Sequence, residues 1–145
     1  MKMAKRFTAA IQDFADLTEK QMIAVVVDSV QDVLEAAQTP QVGITKGATS
    51  FEVGKIPVAE GDLIQSLEIG YNGAYQATAG AVSLSAADFS LGDTINARWT
   101  ATHALPMELG FTTRSGTNVP GRHFVGANAA RWPQFVAANA ANRRV

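Results

Sequence analysis

The sequence contains no cysteine. Disulfides, thiolate nucleophiles and cysteine metal sites are excluded together. Histidine is nearly absent too: His103 and His123 are the only two, and they lie too far apart in sequence to suggest a metal cluster. No run approaches the roughly 18 consecutive apolar residues that a membrane-spanning helix needs. The basic start, Met1 to Arg6, is not followed by the unbroken apolar stretch of a signal peptide, because Asp13 and Asp16 interrupt it. The expectation is a chain made and kept in a cytoplasm. Charge is scarce, 17% of residues against 47% hydrophobic, at the low end for a globular domain. Acid is missing altogether beyond Glu108, where Arg114, Arg122, Arg131, Arg143 and Arg144 follow. The net charge of −1 therefore hides an acidic body and a basic tail end. Such an asymmetry can attract a second copy, or it can be spent on ion pairs inside one subunit.

What is present reads as one α+β domain over residues 1–145, a length that can bury a sizeable core. Residues 7–38 have helical periodicity. Met22, Ile23, Val26, Val27, Val30, Val33, Leu34 and Ala37 share one side, and Asp28, Asp32 and Glu35 share the other as a solvated or docking face. Thr18 followed by Gln21 fits a capping box, which would divide the segment into a short helix over 8–16 and a longer one from 19. Thr39-Pro40 ends it. Residues 41–56, with three glycines, read as a flexible loop or loose hairpin anchored only by Phe51 and Val53.

From Leu63 the period changes to two, with Leu67, Ile69 and Tyr71 on one face. Asn72-Gly73 marks a tight turn into a second strand over 75–89 that carries Val82, Leu84 and Ala86. Leu91-Gly92-Asp93 is the next turn. Ile95, Ala97, Trp99 and Ala101 then alternate in the clearest strand. The expected frame is a long N-terminal helix packed on an antiparallel β-meander, closed by a C-terminal helix. Residues 111–121 form a second flexible loop. Phe124, Val125, Trp132, Phe135 and Val136 line the last helix, where Pro133 is either a kink or the start of a separate segment. Both termini are expected to fray.

Catalytic and nucleotide-binding patterns fail one by one. No G-x-S-x-G elbow accompanies His103, no glycine cluster matches a phosphate loop or dinucleotide fingerprint, and Glu60 with Asp62 are ordinary loop acids. The expectation is a protein that is not an enzyme and holds no cofactor or metal. One stretch organises the rest: His103-Ala104-Leu105-Pro106-Met107-Glu108-Leu109-Gly110 holds a single acid in an apolar octapeptide closed by glycine. Glu108 is expected as a structural anchor, either on backbone amides or on an arginine such as Arg98 or Arg122.

Three segments together resemble a known family. Pro57-Val58-Ala59-Glu60-Gly61-Asp62-Leu63-Ile64-Gln65-Ser66 resembles the P-V-D-T-G-x-L-x-x-S signature of neck and tail-completion proteins of long-tailed bacteriophages. Leu91 to Ile95, running into His103 to Gly110, resembles their Y-A-x-x-x-E-x-G element. Arg122 to Pro133 resembles their closing x-x-F-x-x-x-A-x-x-W helix. Ala59 and Glu60 replace the usual aspartate and threonine, and His103 the usual tyrosine.

The resemblance implies a structural virion subunit at the head–tail junction, assembled in the host cytoplasm as a ring around the DNA channel. A hexamer or dodecamer of this chain would touch head-closure, connector and tail proteins and, non-specifically, DNA; no membrane is involved. Pro57, Gly61, Glu108 and Gly110 would anchor the fold. Phe51, Arg114, Arg122, Arg143 and Arg144 would reach neighbouring subunits. The alternatives are a tail terminator of the same virion region and a small α+β ligand-binding domain. A deep pocket lined by Arg98, His103 and Glu108 would favour the last of these.

Overall fold

The structure is a computed structural model that describes residues 17–43, 51–59 and 61–143. The expected helix over 8–16, the span 44–50, Glu60 and Arg144 lie outside the described residues.

Helix α1 (Glu19–Ala37) begins where the capping box places it. The Thr18 hydroxyl accepts from the Gln21 amide, and the Gln21 side chain returns a bond to the Thr18 amide. It ends one residue short of Thr39-Pro40. The helix has two buried stripes, not one. Val25 and Met22 pack with Leu17 against Val136, Ala140 and Trp132 of the C-terminal helix, while Leu34 and Val30 pack on the sheet around Leu67 and Ile69.

The acidic face is only partly solvated: Glu35 is exposed, but Asp28 and Asp32 meet the C-terminal helix. Asn139 donates to Asp32 at 2.9 Å and to the buried Ser29 hydroxyl at 3.1 Å, and Arg143 pairs with Asp28 at 2.8 Å. A polar stripe can be packed when the opposing helix brings amide and guanidinium groups in register with it.

Residues expected as a loop begin and end in strands. Strands β1 (Pro40–Val42) and β2 (Ile56–Val58) pair in parallel. Ile56 and Pro57 are buried there, whereas the expected anchor Val53 is 60% exposed. Gly61 (φ +87°) then starts a one-turn helix, α2 (Asp62–Gln65), where a strand was expected from Leu63. Leu63 is buried from that turn against Ile56 and Phe124.

Strand β3 (Leu67–Tyr71) is followed through the Asn72-Gly73 turn by β4 (Ala74–Ala77), and later by β5 (Ile95–Trp99). The sheet is antiparallel, but its order is β4-β3-β5 with the first strand in the centre. The second strand stops at Ala77. Residues 78–94 cross back irregularly, with a short 3-10 turn at Ala86–Asp88, so β5 pairs with β3 instead of extending a meander. Val82 and Leu84 still join the core beside Leu34. Their apolar character was legible; their extended pairing was not.

Helix α3 (Ala104–Leu109) follows, then a hairpin of β6 (Gly110–Thr112) and β7 (Asn118–Pro120) where a flexible loop was expected. Pro106 is tolerated as the third residue of α3 because a first-turn amide has no helical acceptor anyway. The C-terminal segment divides into α4 (Gly126–Ala129) and α5 (Trp132–Arg143). Pro133 is the second residue of α5, so it lies at the start of a separate segment, not in a kink. The chain is an α+β protein with a helix at each end of the described fold.

Candidate functional site

The organising octapeptide occupies a crossing point. At the end of α3 the Glu108 carboxylate accepts from the Val125 amide at 2.9 Å and from the Gly126 amide at 2.8 Å. Of its two expected partners, backbone amides or an arginine, it takes the amides. Both oxygens are used, and each bond is charge-assisted. The neighbouring carbonyls serve the irregular segment that leads to α4: Met107 O accepts from the Arg122 amide at 2.8 Å, and Glu108 O from the His123 amide at 3.1 Å.

Two glycines make the crossing possible. A Cβ on Gly121 would overlap Glu108 O and lie 2.6 Å from the Leu109 carbonyl carbon. Gly110, at φ +93°, would put a Cβ 2.7 Å from Val119 O. Both distances are shorter than real side chains tolerate, so the backbones meet only because neither residue has a side chain. Below this crossing Phe124 is fully buried and meets Trp99 edge to face at 5.4 Å.

The expected subunit-contact residues separate. Arg114 is exposed at the tip of the β6–β7 hairpin. Arg143 is spent inside the subunit on Asp28. Arg122 is a correction: it is only 4% exposed, so it is not a surface contact of this chain. Its Nη1 donates to Pro120 O at 2.7 Å, and Phe51, itself half-buried, covers the guanidinium face at 4.3 Å. Its Nε is buried with no acceptor, which costs about 1–3 kcal/mol. That burial pulls the guanidinium below its ordinary pKa.

The trio that would line a ligand pocket is dispersed by its bonding. Arg98 pairs with Glu68 at 2.7 Å and stacks on Tyr75 at 3.8 Å, Glu108 is held by amides, and His103 is exposed at the start of α3. A separate cleft of about 240 Å³ lies between α1 and α4, with Ala36, Val53 and Ala127 as apolar walls and Lys55 and Arg131 at its edges. Among the described residues no group of three or more His, Cys, Asp or Glu side chains could hold a metal ion. No described helix is long and apolar enough to cross a membrane.

Sequence reasoning missed the amide side chains. Buried Gln38 donates to Ile64 O at 2.7 Å and Gly80 O at 3.1 Å, and accepts from the Trp99 indole at 2.8 Å. Asn128, also buried, donates to Gly54 O and Phe124 O, each at 2.7 Å. The only available signal was the presence of Gln38 at the end of a helical pattern, and an isolated glutamine there is not informative.

Sequence also missed an exposed apolar pair. Leu105 and Leu109 sit one turn apart on α3 and are 66% and 62% exposed. No family model, curated protein or solved structure matches the chain.

Proposed function

We propose that this chain is a non-enzymatic structural subunit of the phage head–tail junction, a neck or tail-completion protein. In this reading copies of it close into a ring around the DNA channel and dock on head-closure, connector and tail proteins. The observation that carries the reading beyond the motif resemblance is the surface of α3. Two large leucines on one turn face outward beside a hairpin that ends in exposed Arg114. Apolar side chains concentrated on one turn mark a contact surface more readily than single exposed ones do. The signature residues support it as well. Glu108 ties the end of α3 to the start of α4, and Gly110 lets α3 pass directly into the hairpin, which together hold the presented surface in place.

A ring needs two different patches that meet head to tail and close. Native mass spectrometry of concentrated protein, with negative-stain microscopy of the same sample, tests this. The reading predicts one discrete ring stoichiometry, a hexamer or dodecamer. An open-ended ladder of oligomers, or monomer alone at every concentration, would overturn it.

A further inference from the structure

We infer that the cavity between the β3–β4 sheet face and the crossing over residues 83–88 binds an organic cation, a guanidinium or ammonium group on a short apolar stem. The cavity is about 470 Å³, within the range of small-ligand sites. Ile69 and Leu84 give it an apolar wall shared with the sheet core, and Tyr71, Gln76, Ser83 and Asp88 supply its polar groups. It is open to solvent: Gln76, Ser83 and Asp88 are exposed and Tyr71 is half-buried.

Charge decides the class of ligand. The lining holds one carboxylate and no base. Among the described residues no ion pair engages Asp88, and the Gln76, Ser83 and Asp88 side chains make no hydrogen bond. A cation can take the carboxylate through charge-assisted bonds, lie against the phenol ring and lay its stem along Ile69 and Leu84. Burial first and the Asp88 charge second raise the Tyr71 pKa, so the field of the carboxylate reaches the phenol. The chain makes the same kind of contact internally: Arg98 lies over the Tyr75 ring at 3.8 Å and pairs with Glu68.

The walls are held before any ligand arrives. Gln31 donates to Val82 O at 2.7 Å and accepts from the Leu84 amide at 2.9 Å, which fixes the backbone on both sides of Ser83. Asp88 sits on a capped turn, with the Ala87 amide on the Ser85 hydroxyl and the Asp88 amide on Ser85 O. Buried Phe89 anchors the end of that turn.

Two sources can present the cation: a free small molecule, or an arginine of a second copy of this chain. Arg114 is the described arginine whose side chain makes no hydrogen bond, ion pair or ring contact with the described residues, and it is exposed at the hairpin tip. The cavity is read within one subunit, so the inference stands or falls separately from ring formation.

The test uses the full chain with ¹³C-labelled tyrosine. The Tyr71 ring resonance is assigned by its loss in Tyr71→Phe, and Tyr75, already faced by Arg98, is the internal reference. Ethylguanidinium chloride, below denaturing concentration, is titrated against sodium chloride at constant ionic strength, with ethylurea as the neutral analogue of the same shape. The expected result is a saturable shift of Tyr71 with ethylguanidinium alone, while Tyr75 stays in place. Asp88→Asn, which removes no hydrogen bond of the described fold, should melt as wild type does and raise the half-saturation point about tenfold, the loss of one charge-assisted contact. No saturable shift, an equal response to ethylurea, an equal shift of Tyr75, or an unchanged titration in Asp88→Asn would overturn the inference. A dilution series without ligand separates the sources. A Tyr71 shift that grows with protein concentration and is lost in Arg114→Gln identifies the second copy; a concentration-independent Tyr71 that still answers ethylguanidinium identifies a free cation.

Discussion

The helix–sheet body and the α3–hairpin lobe are built on opposite uses of their side chains. In the body, polar groups turn inward: Gln38, Ser29 and Asn139 satisfy backbone and side-chain partners between packed layers. In the lobe, apolar groups turn outward. Leu105 and Leu109 face solvent, and the close contact is made by backbone at Gly110 and Gly121. A body that hides its polar atoms is specified for its own fold. A lobe that exposes leucines beside a close backbone crossing is what the proposed contact surface calls for. Glu108 joins the two, because its carboxylate ties the end of α3 to the start of α4.

That contrast can be broken in graded steps. The largest effect is expected from Gly121→Ala, which forces a Cβ into the Glu108 carbonyl and the Leu109 backbone. Backbone cannot move aside as a side chain does, so the loss should be about 3 kcal/mol or more in chemical denaturation. Gly116→Ala, in open space at the hairpin tip, is the control and should cost only about 1 kcal/mol, from its left-handed φ of +88°.

Gln38→Ala comes next. It leaves two carbonyls and the Trp99 indole without partners, and should destabilise by about 2–3 kcal/mol with a change in Trp99 fluorescence. Thr18→Ala removes half of the capping box and should cost about 1 kcal/mol. The Arg143–Asp28 pair is half-exposed on both sides, so Arg143→Ala should cost no more than about 0.5 kcal/mol.

The smallest effect is a pH dependence. Burial, reinforced by the charge of Asp88 and opposed by a backbone hydrogen bond at Ser85, raises the Tyr71 phenol above its ordinary value. The folded chain then keeps a proton that the unfolded chain releases, so this contribution is complete below about pH 10. It is lost as pH rises through the folded value. Denaturation midpoints should fall more steeply above pH 10 for wild type than for Tyr71→Phe.

Local signals in the sequence were read well where one residue type had one physical reason to be there. Thr18 with Gln21 capped a helix, Asn72-Gly73 turned a hairpin, and alternation gave Leu67, Ile69, Ile95 and Trp99 to one core face. The failures have two causes, a partner distant in the chain and strands too short to show a pattern. Asp28 and Asp32 looked solvated because Asn139 and Arg143 lie more than a hundred residues away. Arg122 looked like a surface contact because nothing local shows that Phe51 closes over it. Residues 41–56 and 111–121 looked like loops because three-residue strands are too short for alternation to show.

Arg122 also changes how the lobe should be probed. Arg122→Glu would place an acid in a buried position, so it would test folding and not association. The exposed leucines allow a cleaner design, since charged residues there remain in solvent.

Sedimentation velocity over a concentration series, comparing wild type with the Leu105→Asp/Leu109→Asp double variant, tests the central claim that the lobe is a contact surface. The account predicts concentration-dependent growth in mass for wild type and a folded, persistently monomeric variant. Equal association by both proteins, or no association by wild type at any concentration, would contradict it.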